Sequence, residues 1–353
     1  MDLPYSLYQT DPYWVPPLRI AQKQLLNQRK HPFYAHAEMQ CFLARRNGSV
    51  AGRIAAIIDR NYNQFQKEES GSFGFFESIN DSQVAGALLE SMRTWLRERG
   101  ARVIRGPFNP STNYECGMLV DGFETQPYIM MPHNPPYYRG LMEQAGLRKA
   151  KDLWAYVSKV SAVGAEKVDR VAGKVLDANC VRIRPIRMKA FQEDVERVWQ
   201  VYNAAWERNW GFVPMTRDEF LHEAAEMKQI LVPDFVLLGE VGDRVVGFAL
   251  ALPDINIALK HAGGRLFPLG LPKILYYQRK IRRLRVLALG VVEEFRTAGV
   301  AAAFYSTLIR NARRLGYEES EMSWILEDNA LMNRSLEVMG ARKYKTYRIY
   351  EWN

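Results

Sequence analysis

The segment from residue 284 to residue 316 constrains the fold of this chain more than any other part. An apolar run over 284–292 predicts a buried strand. The helix after it has apolar residues at steps of four and three, which share one face: Val300, Phe304, Leu308, Ala312 and Leu315. The turn between them reads Arg296, Thr297, Ala298, Gly299, Val300, Ala301. Backbone N–H groups at the start of a helix favour anions, so this turn predicts a pyrophosphate site, with an ordinary strand-to-helix turn as the alternative.

The spacing of that turn, Arg/Gln-x-x-Gly-x-Gly/Ala, resembles the acyl-CoA pyrophosphate loop of the GNAT superfamily of N-acetyltransferases. The resemblance implies acyl-CoA as co-substrate. It also implies that residues 296–301 bind its pyrophosphate and that Leu289 and Val291 lie along its thioester arm. Asn329 and Asn333 occupy the region of a superfamily motif and are expected to contact the CoA arm.

The order of predicted elements occurs twice along the chain. We predict an α/β fold, a mixed sheet with flanking helices, in two tandem GNAT-like domains: residues 1–160, a linker at 161–180, and residues 181–353. The first copy has no pyrophosphate loop, and Asp81 would occupy the helix end where a phosphate should bind. The first domain is therefore expected to be degenerate, and the second to bind acyl-CoA.

Composition narrows the setting of the chain. Its 353 residues are enough for two domains, and its 3 cysteines lack disulfide or zinc spacing, which favours a reducing compartment. Its 5 histidines form no metal-ligand cluster, so no metal is expected. No signal peptide and no apolar run long enough to span a membrane are present, which predicts a cytoplasmic protein. The net charge of +9 favours anionic partners such as CoA phosphates or anionic lipid.

Two segments are candidates for the acceptor site. The loop over 106–138 is long and rich in Asn, Pro and Tyr, and it contains Tyr137 and Tyr138. The segment 202–214 would surround Glu207 with Trp206, Trp210 and Phe212, and burial there would raise the carboxyl pKa. The candidate general bases are Glu207, Glu115, His133 and Asp254. The alternatives are a rigid structural loop and ordinary core aromatics with a solvated glutamate.

An insertion over 254–283 separates two predicted core strands. Residues 266–272 are apolar and broken by prolines, and six cations follow: Lys273, Arg279, Lys280, Arg282, Arg283 and Arg285. Such a composition is typical of an interfacial element, so peripheral contact with an anionic membrane through 266–285 is expected. A lid over a long acyl chain and a solvated basic helix are the alternatives. Nucleic acid is not expected, because no recognition motif accompanies the cations.

Signatures throughout the chain resemble a bacterial family of tandem acetyltransferase-fold proteins, some of which are similar to bacterial ceramide synthases. They include 106–111, 134–138, 152–156, 209–214 and 253–256. The resemblance implies transfer of a long fatty acyl group from acyl-CoA to the amine of a sphingoid base. Two other readings remain: an acetyltransferase for a small soluble amine, and a non-catalytic acyl-CoA or lipid-binding module. The second is favoured by the missing tyrosine general acid, where Arg334-Ser335-Leu336 stands.

Overall fold

One large sheet, formed by both halves of the chain, organises the molecule. The computed structural model describes residues 1–162 and 181–352, so most of the predicted linker lies outside the described residues. In the first half the elements are α1 (Leu3–Leu7), α2 (Arg19–Leu25), β1 (Ala37–Arg46), β2 (Ser49–Asp59), α3 (Arg60–Gln66), β3 (Ser70–Ser78), α4 (Ser82–Glu98), β4 (Val103–Gly106), β5 (Phe108–Asn109), β6 (Glu115–Cys116), β7 (Met118–Asp121), α5 (Tyr137–Gln144) and β8 (Arg148–Lys159).

The second half repeats this order. Its elements are β9 (Arg182–Pro185), α6 (Phe191–Trp206), α7 (Arg217–Met227), β10 (Val236–Val241), β11 (Arg244–Pro253), α8 (Asn256–Ala262), α9 (Gly270–Tyr277), β12 (Arg283–Val291), α10 (Val300–Arg314), β13 (Glu319–Leu326), α11 (Ala330–Val338) and β14 (Arg342–Trp352). The predicted α/β class, a mixed sheet with flanking helices, is confirmed.

The last strand of each half lies among the strands of the other half. The order across the sheet is β1-β2-β3-β4-β14-β8-β13-β12-β11-β10-β9, and β7 also pairs with β14. Strands β3 and β4 are parallel, as are β12 and β13. Strand β14 pairs with β4, whereas β8 pairs with β13, so each half is completed by a strand of the other. The division at 160 and 181 stays a prediction, and the exchange of strands ties the two halves into one sheet.

Two helices cover corresponding parts of the sheet. Helix α4 buries Leu88, Leu89 and Met92 against β2 and its neighbours. Helix α10 buries Val300, Phe304, Leu308 and Ala312 in the core of the second half, as its apolar period predicts. Full burial of each large side chain contributes about 1.5–3 kcal/mol. The helix termini that matter for function are thereby held at fixed positions beside the strands.

A buried histidine connects the two halves. His36 lies between Asp59 at the end of β2 (Nδ1 to Oδ1, 2.9 Å) and Glu219 in the first turn of α7 (Nε2 to Oε2, 3.2 Å). Tyr114 donates its hydroxyl to the other oxygen of Glu219 at 2.9 Å. Burial lowers the pKa of His36, but the hydrogen bonds to both carboxylates outweigh burial and raise the pKa to about 9.

This network predicts a pH-dependent stability. The folded pKa of His36 lies above its ordinary value of 6.5. The stabilisation is therefore fully present below pH 6.5 and is lost as the pH rises through about 9. Relative to His36→Asn, we expect the wild-type protein to lose on the order of 2–3 kcal/mol of unfolding free energy across this range.

Urea unfolding of both proteins at a series of pH values checks this expectation. The difference between the two proteins is the quantity to follow, because Lys345, whose pKa burial lowers to about 8, titrates in the same range in both. A difference that does not change with pH would show that His36 is not protonated in its buried position.

Candidate functional site

Strands β12 and β13 part in the middle of the sheet and open a cleft. They pair in parallel only from Arg283 with Glu319 to Val286 with Met322. On its other side, β12 has an irregularity: Leu250 faces Ala288 and Ala251 faces Val286, which leaves Leu287 as an extra residue. Such a bulge bends a strand, and here it bends β12 where the cleft begins. Backbone groups beyond this point are free of the parallel partner and line the opening.

The predicted anion-binding turn lies directly after β12. A 3-10 helix, Glu293–Ala298, leads into Gly299, whose φ of 69° is left-handed, and α10 begins at Val300 without a side-chain cap. The Arg296 guanidinium donates to the carbonyl oxygens of Val291 (3.3 Å) and Ala205 (2.7 Å). Arg296 therefore braces the turn, and the start of α10, which no side chain caps, favours an anion.

The corresponding helix of the first half is already occupied by a carboxylate. Asp81 accepts hydrogen bonds from the backbone N–H groups of Gln83 (2.9 Å) and Val84 (3.4 Å) at the start of α4. It also pairs with Arg46. A phosphate would meet the negative charge of Asp81 instead of free N–H groups. The two halves thus differ at the position where a pyrophosphate would bind.

An apolar cavity of about 200 Å³ opens on the cleft of the second half. Both parting strands contribute to it, β12 through Leu287 and Ala288 and β13 through Ser323 and Trp324. Its walls also include residues of α6, α7 and β11, among them Val198, Tyr202, Phe220, Phe248 and Leu250. We call it the second-half cavity. A ligand group that enters the cleft can extend an apolar chain into this space.

A second cavity, of about 370 Å³, lies at the equivalent place in the first half. Strand β3 pairs with β4 only over Ser70–Ser72, and its later residues Phe75, Phe76 and Glu77 line the cavity. The N-terminal segment closes it from outside with Trp14, Leu18 and Leu25. We call it the first-half cavity. It shares Tyr114, Met130 and Glu223 with the second-half cavity, so the two spaces adjoin.

The chain is similar in sequence to two known proteins and in fold to several solved structures. The chain is 36% identical over 355 residues to Protein YghO of Escherichia coli, covering 99% of this chain and 90% of that protein. It is 34% identical over 356 residues to a bacterial ceramide synthase of Caulobacter vibrioides, covering 99% and 92%. No family model matches the chain. Among solved structures, a tandem GNAT protein from the clavulanic acid biosynthesis pathway superposes with a TM-score of 0.55 at 10% identity, covering 98% and 90%.

The chain belongs to the same family as this bacterial ceramide synthase, and its fold is that of tandem GNAT proteins. The chain is therefore an N-acyltransferase. The parted strands, the glycine turn and the uncapped helix are thus the parts of a GNAT-type cleft that the chain has in its second half.

Two of the four predicted bases reach a cavity of this acyltransferase. Glu115 on β6 lines the first-half cavity; burial raises the pKa of its carboxyl, against the charge of Arg285 and a hydrogen bond from Asn109. His133 lines the same cavity, with Nε2 2.8 Å from Asp11 Oδ2, and among the described residues its Nδ1 has no partner. Burial lowers the pKa of His133 despite Asp11, which favours the neutral imidazole.

The other two predicted bases lie elsewhere. Asp254 is fully buried, accepts from the N–H of Ile129 at 2.9 Å and pairs with Arg283 at 2.7 Å. Burial raises its pKa to about 6, with Arg283 opposing, and the carboxylate anchors the loop before Met130 to the start of the insertion. Glu207 is exposed at the end of α6 and lines neither cavity, so the apolar pocket predicted around it is not formed.

The predicted aromatic residues mostly serve as supports. Trp206 packs over Gly290, where an added Cβ would lie 2.5 Å from its ring, and Phe212 contacts Phe65 of α3. Trp210 lies under the ammonium of Lys151. Tyr137 donates to the carbonyl oxygen of Ser78, and Tyr138 donates to Glu77 at 2.7 Å while lining the first-half cavity. Of the five, Tyr138 alone is among the residues that line either described cavity.

Of the residues predicted to contact CoA, the two asparagines already make hydrogen bonds within the protein. Asn329 caps α11 by accepting from the N–H of Met332 (3.2 Å). The amide of Asn333 is buried, donates to the carbonyl oxygen of Leu326 at 3.1 Å and accepts from Tyr156. Both side chains therefore fix the β13–α11 connection. Leu289 and Val291 lie on β12 beyond the bulge, where β13 no longer pairs with it, and their contact with the thioester arm stays a prediction.

Sequence reasoning missed several residues that form these sites. Arg285 was counted with the surface cations, but it is 1% exposed and lies 3.3 Å from the buried Glu321. It donates to the carbonyl oxygen of Ile129 at 2.6 Å and lines the second-half cavity. Glu77, which lines the first-half cavity, is a second charged residue that sequence reasoning missed. The available signal was a charged residue inside an otherwise apolar strand, because charge is rarely buried without a partner or a function.

One group of described residues has the composition of a metal site. Ligand atoms of His31, His222 and Glu223 all lie within 4.8 Å of one another. The Phe33 N–H donates to Nδ1 of His31 at 3.4 Å, which places the proton of a neutral ring on Nε2, facing Glu223 at 3.6 Å. The arrangement is that of a histidine lying beside a carboxylate, and the expectation that no metal takes part stays a prediction.

Proposed function

We propose that the chain transfers a long fatty acyl group from acyl-CoA to a long-chain amine, with a sphingoid base as the acceptor class. The observation that carries this proposal is the apolar second-half cavity, which begins where β12 and β13 part. A thioester held along β12 would have the first carbons of its acyl chain at this opening. The relative from Caulobacter vibrioides, which is named a ceramide synthase, supports the same acceptor class.

In this proposal the second half alone holds the co-substrate. The pyrophosphate lies on the backbone of 296–301 at the start of α10, where no side chain caps the helix. The pantetheine arm follows β12 along Leu289 and Val291 into the cleft. The first half is excluded as a CoA site by Asp81, which occupies the equivalent helix terminus.

The chemistry is a direct attack of the amine on the thioester. Glu115 takes a proton from the substrate ammonium, the free amine nitrogen bonds to the carbonyl carbon, and the C–S bond breaks. The second amine proton, released as the amide forms, neutralises the CoA thiolate through solvent. No covalent enzyme intermediate is required, and holding both substrates in one orientation supplies much of the rate.

Product analysis tests the proposal. Purified protein is given equal acetyl-CoA and palmitoyl-CoA together with sphinganine and a panel of small soluble amines, and the products are identified by mass spectrometry. N-palmitoyl sphinganine is the expected product. If only acetylated small amines form, the proposal is wrong and the protein is a soluble acetyltransferase. If no acylated amine forms, the protein is a non-catalytic binding module.

We further propose that the insertion contacts an anionic membrane surface, from which both lipid substrates would be drawn. Large apolar side chains are exposed on and before α9: Phe267, Leu269, Leu271, Leu275 and Tyr276. Phe267 is 77% exposed, and Lys273, Arg279 and Lys280 are neighbouring exposed cations. Apolar side chains flanked by cations match an interfacial element. In the described part of the chain, no helix is long and apolar enough to cross a bilayer.

The membrane proposal predicts the result of a flotation assay. Changing Leu266, Phe267 and Leu269 to serine removes the apolar contact, and we expect binding to vesicles with anionic lipid to fall by at least about tenfold, since each large side chain contributes 1 kcal/mol or more. Leu43→Ser, which changes a residue 60% exposed on β1, is the matched control and should float like the wild type. Equal flotation of the triple variant would exclude the insertion as the contact.

A further inference from the structure

The charge of the first-half cavity is opposite to that of the whole protein. The chain carries a net charge of +9. Four carboxylates line the cavity, against a single guanidinium, that of Arg53: Glu77, Glu115, Glu223 and Glu226. A cavity of this kind attracts cations and excludes the phosphates that the rest of the surface favours. The helix end occupied by Asp81 reinforces this exclusion.

The polar groups of the cavity are arranged as hydrogen-bond acceptors. Glu77 receives the hydroxyls of Tyr8 and Tyr138, both at 2.7 Å, and lies 3.5 Å from Arg53. Burial raises the carboxyl pKa of both Glu77 and Glu115, and their hydrogen bonds and the nearby guanidinium groups of Arg53 and Arg285 oppose this effect. A positive ligand group close to either carboxylate would favour its ionised form.

His133 adds an acceptor without a partner. Its side chain is 3% exposed, and its Nε2 lies 2.8 Å from Asp11, so a neutral ring donates from Nε2 and leaves a lone pair on Nδ1. No group of the described chain binds that Nδ1. A buried acceptor without a donor is unfavourable, and a ligand hydroxyl or ammonium would supply the missing hydrogen bond.

The remaining wall of the cavity is apolar. Trp14, Leu18 and Leu25 contribute from the N-terminal segment, and Ile255 and Leu259 from the insertion. Trp14 stacks on the ring of Tyr8 at 5.0 Å, which brings the apolar wall directly beside the Glu77 hydrogen bonds. The cavity therefore combines a hydrocarbon-binding wall with an acidic, acceptor-rich end.

We propose that the first-half cavity binds a protonated long-chain amine, with its ammonium on Glu115 and Glu77, its neighbouring hydroxyls on His133, and its alkyl chain along the N-terminal segment. Binding of the amine in this cavity does not depend on the proposed function. Only the role of the bound amine as the acyl acceptor rests on it. The amine would approach the thioester past Tyr114, Met130 and Glu223, the residues common to both cavities. The degenerate half thereby becomes the acceptor site, and each of the two long chains has its own space.

Calorimetric titration without acyl-CoA tests this site independently of catalysis. We expect dodecylamine to bind one-to-one and dodecanol to bind at least about tenfold more weakly, because dodecanol lacks the positive charge. Glu115→Gln should weaken dodecylamine binding at least about tenfold and leave dodecanol binding unchanged. Glu98→Gln, which changes an exposed glutamate at the end of α4, should bind both as the wild type does.

A second variant keeps the test decisive. Ala21 lies on α2 at the exposed side of the cavity, so Ala21→Trp fills the entrance without disturbing a buried core and should abolish binding of both probes. Unchanged dodecylamine binding by Ala21→Trp, or by a folded Glu115→Gln, would overturn the proposal. If the protein binds dodecylamine in this Glu115-dependent manner but transfers no acyl group, the amine site stands and the proposed function fails.

Discussion

Replacing Gly299 with aspartate will lower kcat/KM for acyl-CoA by at least about 100-fold, equivalent to about 2.7 kcal/mol. The change gives the second half the carboxylate that Asp81 provides in the first half, at the start of the corresponding helix. A carboxylate within about 4 Å of a phosphate charge costs about 4 kcal/mol at the effective dielectric of a protein surface. Release of free CoA thiol, followed over a range of acyl-CoA concentrations, measures the effect.

Gly299→Asn is the matched control for this prediction. Asparagine has the shape of aspartate without its charge, and it adopts the left-handed conformation that the φ of 69° requires. We expect a loss of less than about tenfold, because the helix terminus then stays free of negative charge. If the aspartate and asparagine variants are equally active, the pyrophosphate does not bind at this turn.

Replacing Glu115 with glutamine will lower kcat/KM by about 100- to 1,000-fold, the range that a positioned general base contributes. The substitution keeps the size of the side chain and removes its ability to take the proton of the substrate ammonium. In the wild type, activity should fall as the pH drops through the pKa of Glu115, which burial raises from its ordinary value. The variant should lose this acidic limb, and a pH–rate profile of both proteins checks it.

Parallel variants separate Glu115 from the other predicted bases. Glu207→Gln changes an exposed side chain that lines neither cavity, and His133→Asn changes the neutral imidazole paired with Asp11. A larger loss of kcat/KM in either of these than in Glu115→Gln would contradict the assignment. A retained acidic limb in Glu115→Gln would contradict it equally.

Local patterns in the sequence predicted the elements of the cleft accurately. Helix α10 buries the face that its apolar period predicts and begins directly after Gly299, and β13 begins and ends at the predicted residues, Glu319 and Leu326. Asp81 was predicted at the start of α4, and it caps that helix. These features depend on the spacing of neighbouring residues, which the sequence displays directly.

Contacts between distant parts of the chain were beyond such patterns. The exchange of β8 and β14 joins residues that are distant in the chain, such as Lys159 and Glu319, which lie 160 positions apart. The N-terminal segment lines the first-half cavity, and no periodic pattern of apolar residues in that segment predicts this contact. For the same reason Glu207 was placed in a pocket that does not form, and the buried Arg285 was counted among surface cations.

Hydrogen exchange with a non-hydrolysable palmitoyl-CoA analogue tests the central claim, that the second half alone binds the co-substrate. The amides of 289–303 lie along β12 and the start of α10, and those of 76–86 are their counterparts in the first half. We predict slower exchange over 289–303 when the analogue is added, and no change over 76–86. Protection of 76–86, alone or together with 289–303, would show that the first half binds acyl-CoA and would contradict this account.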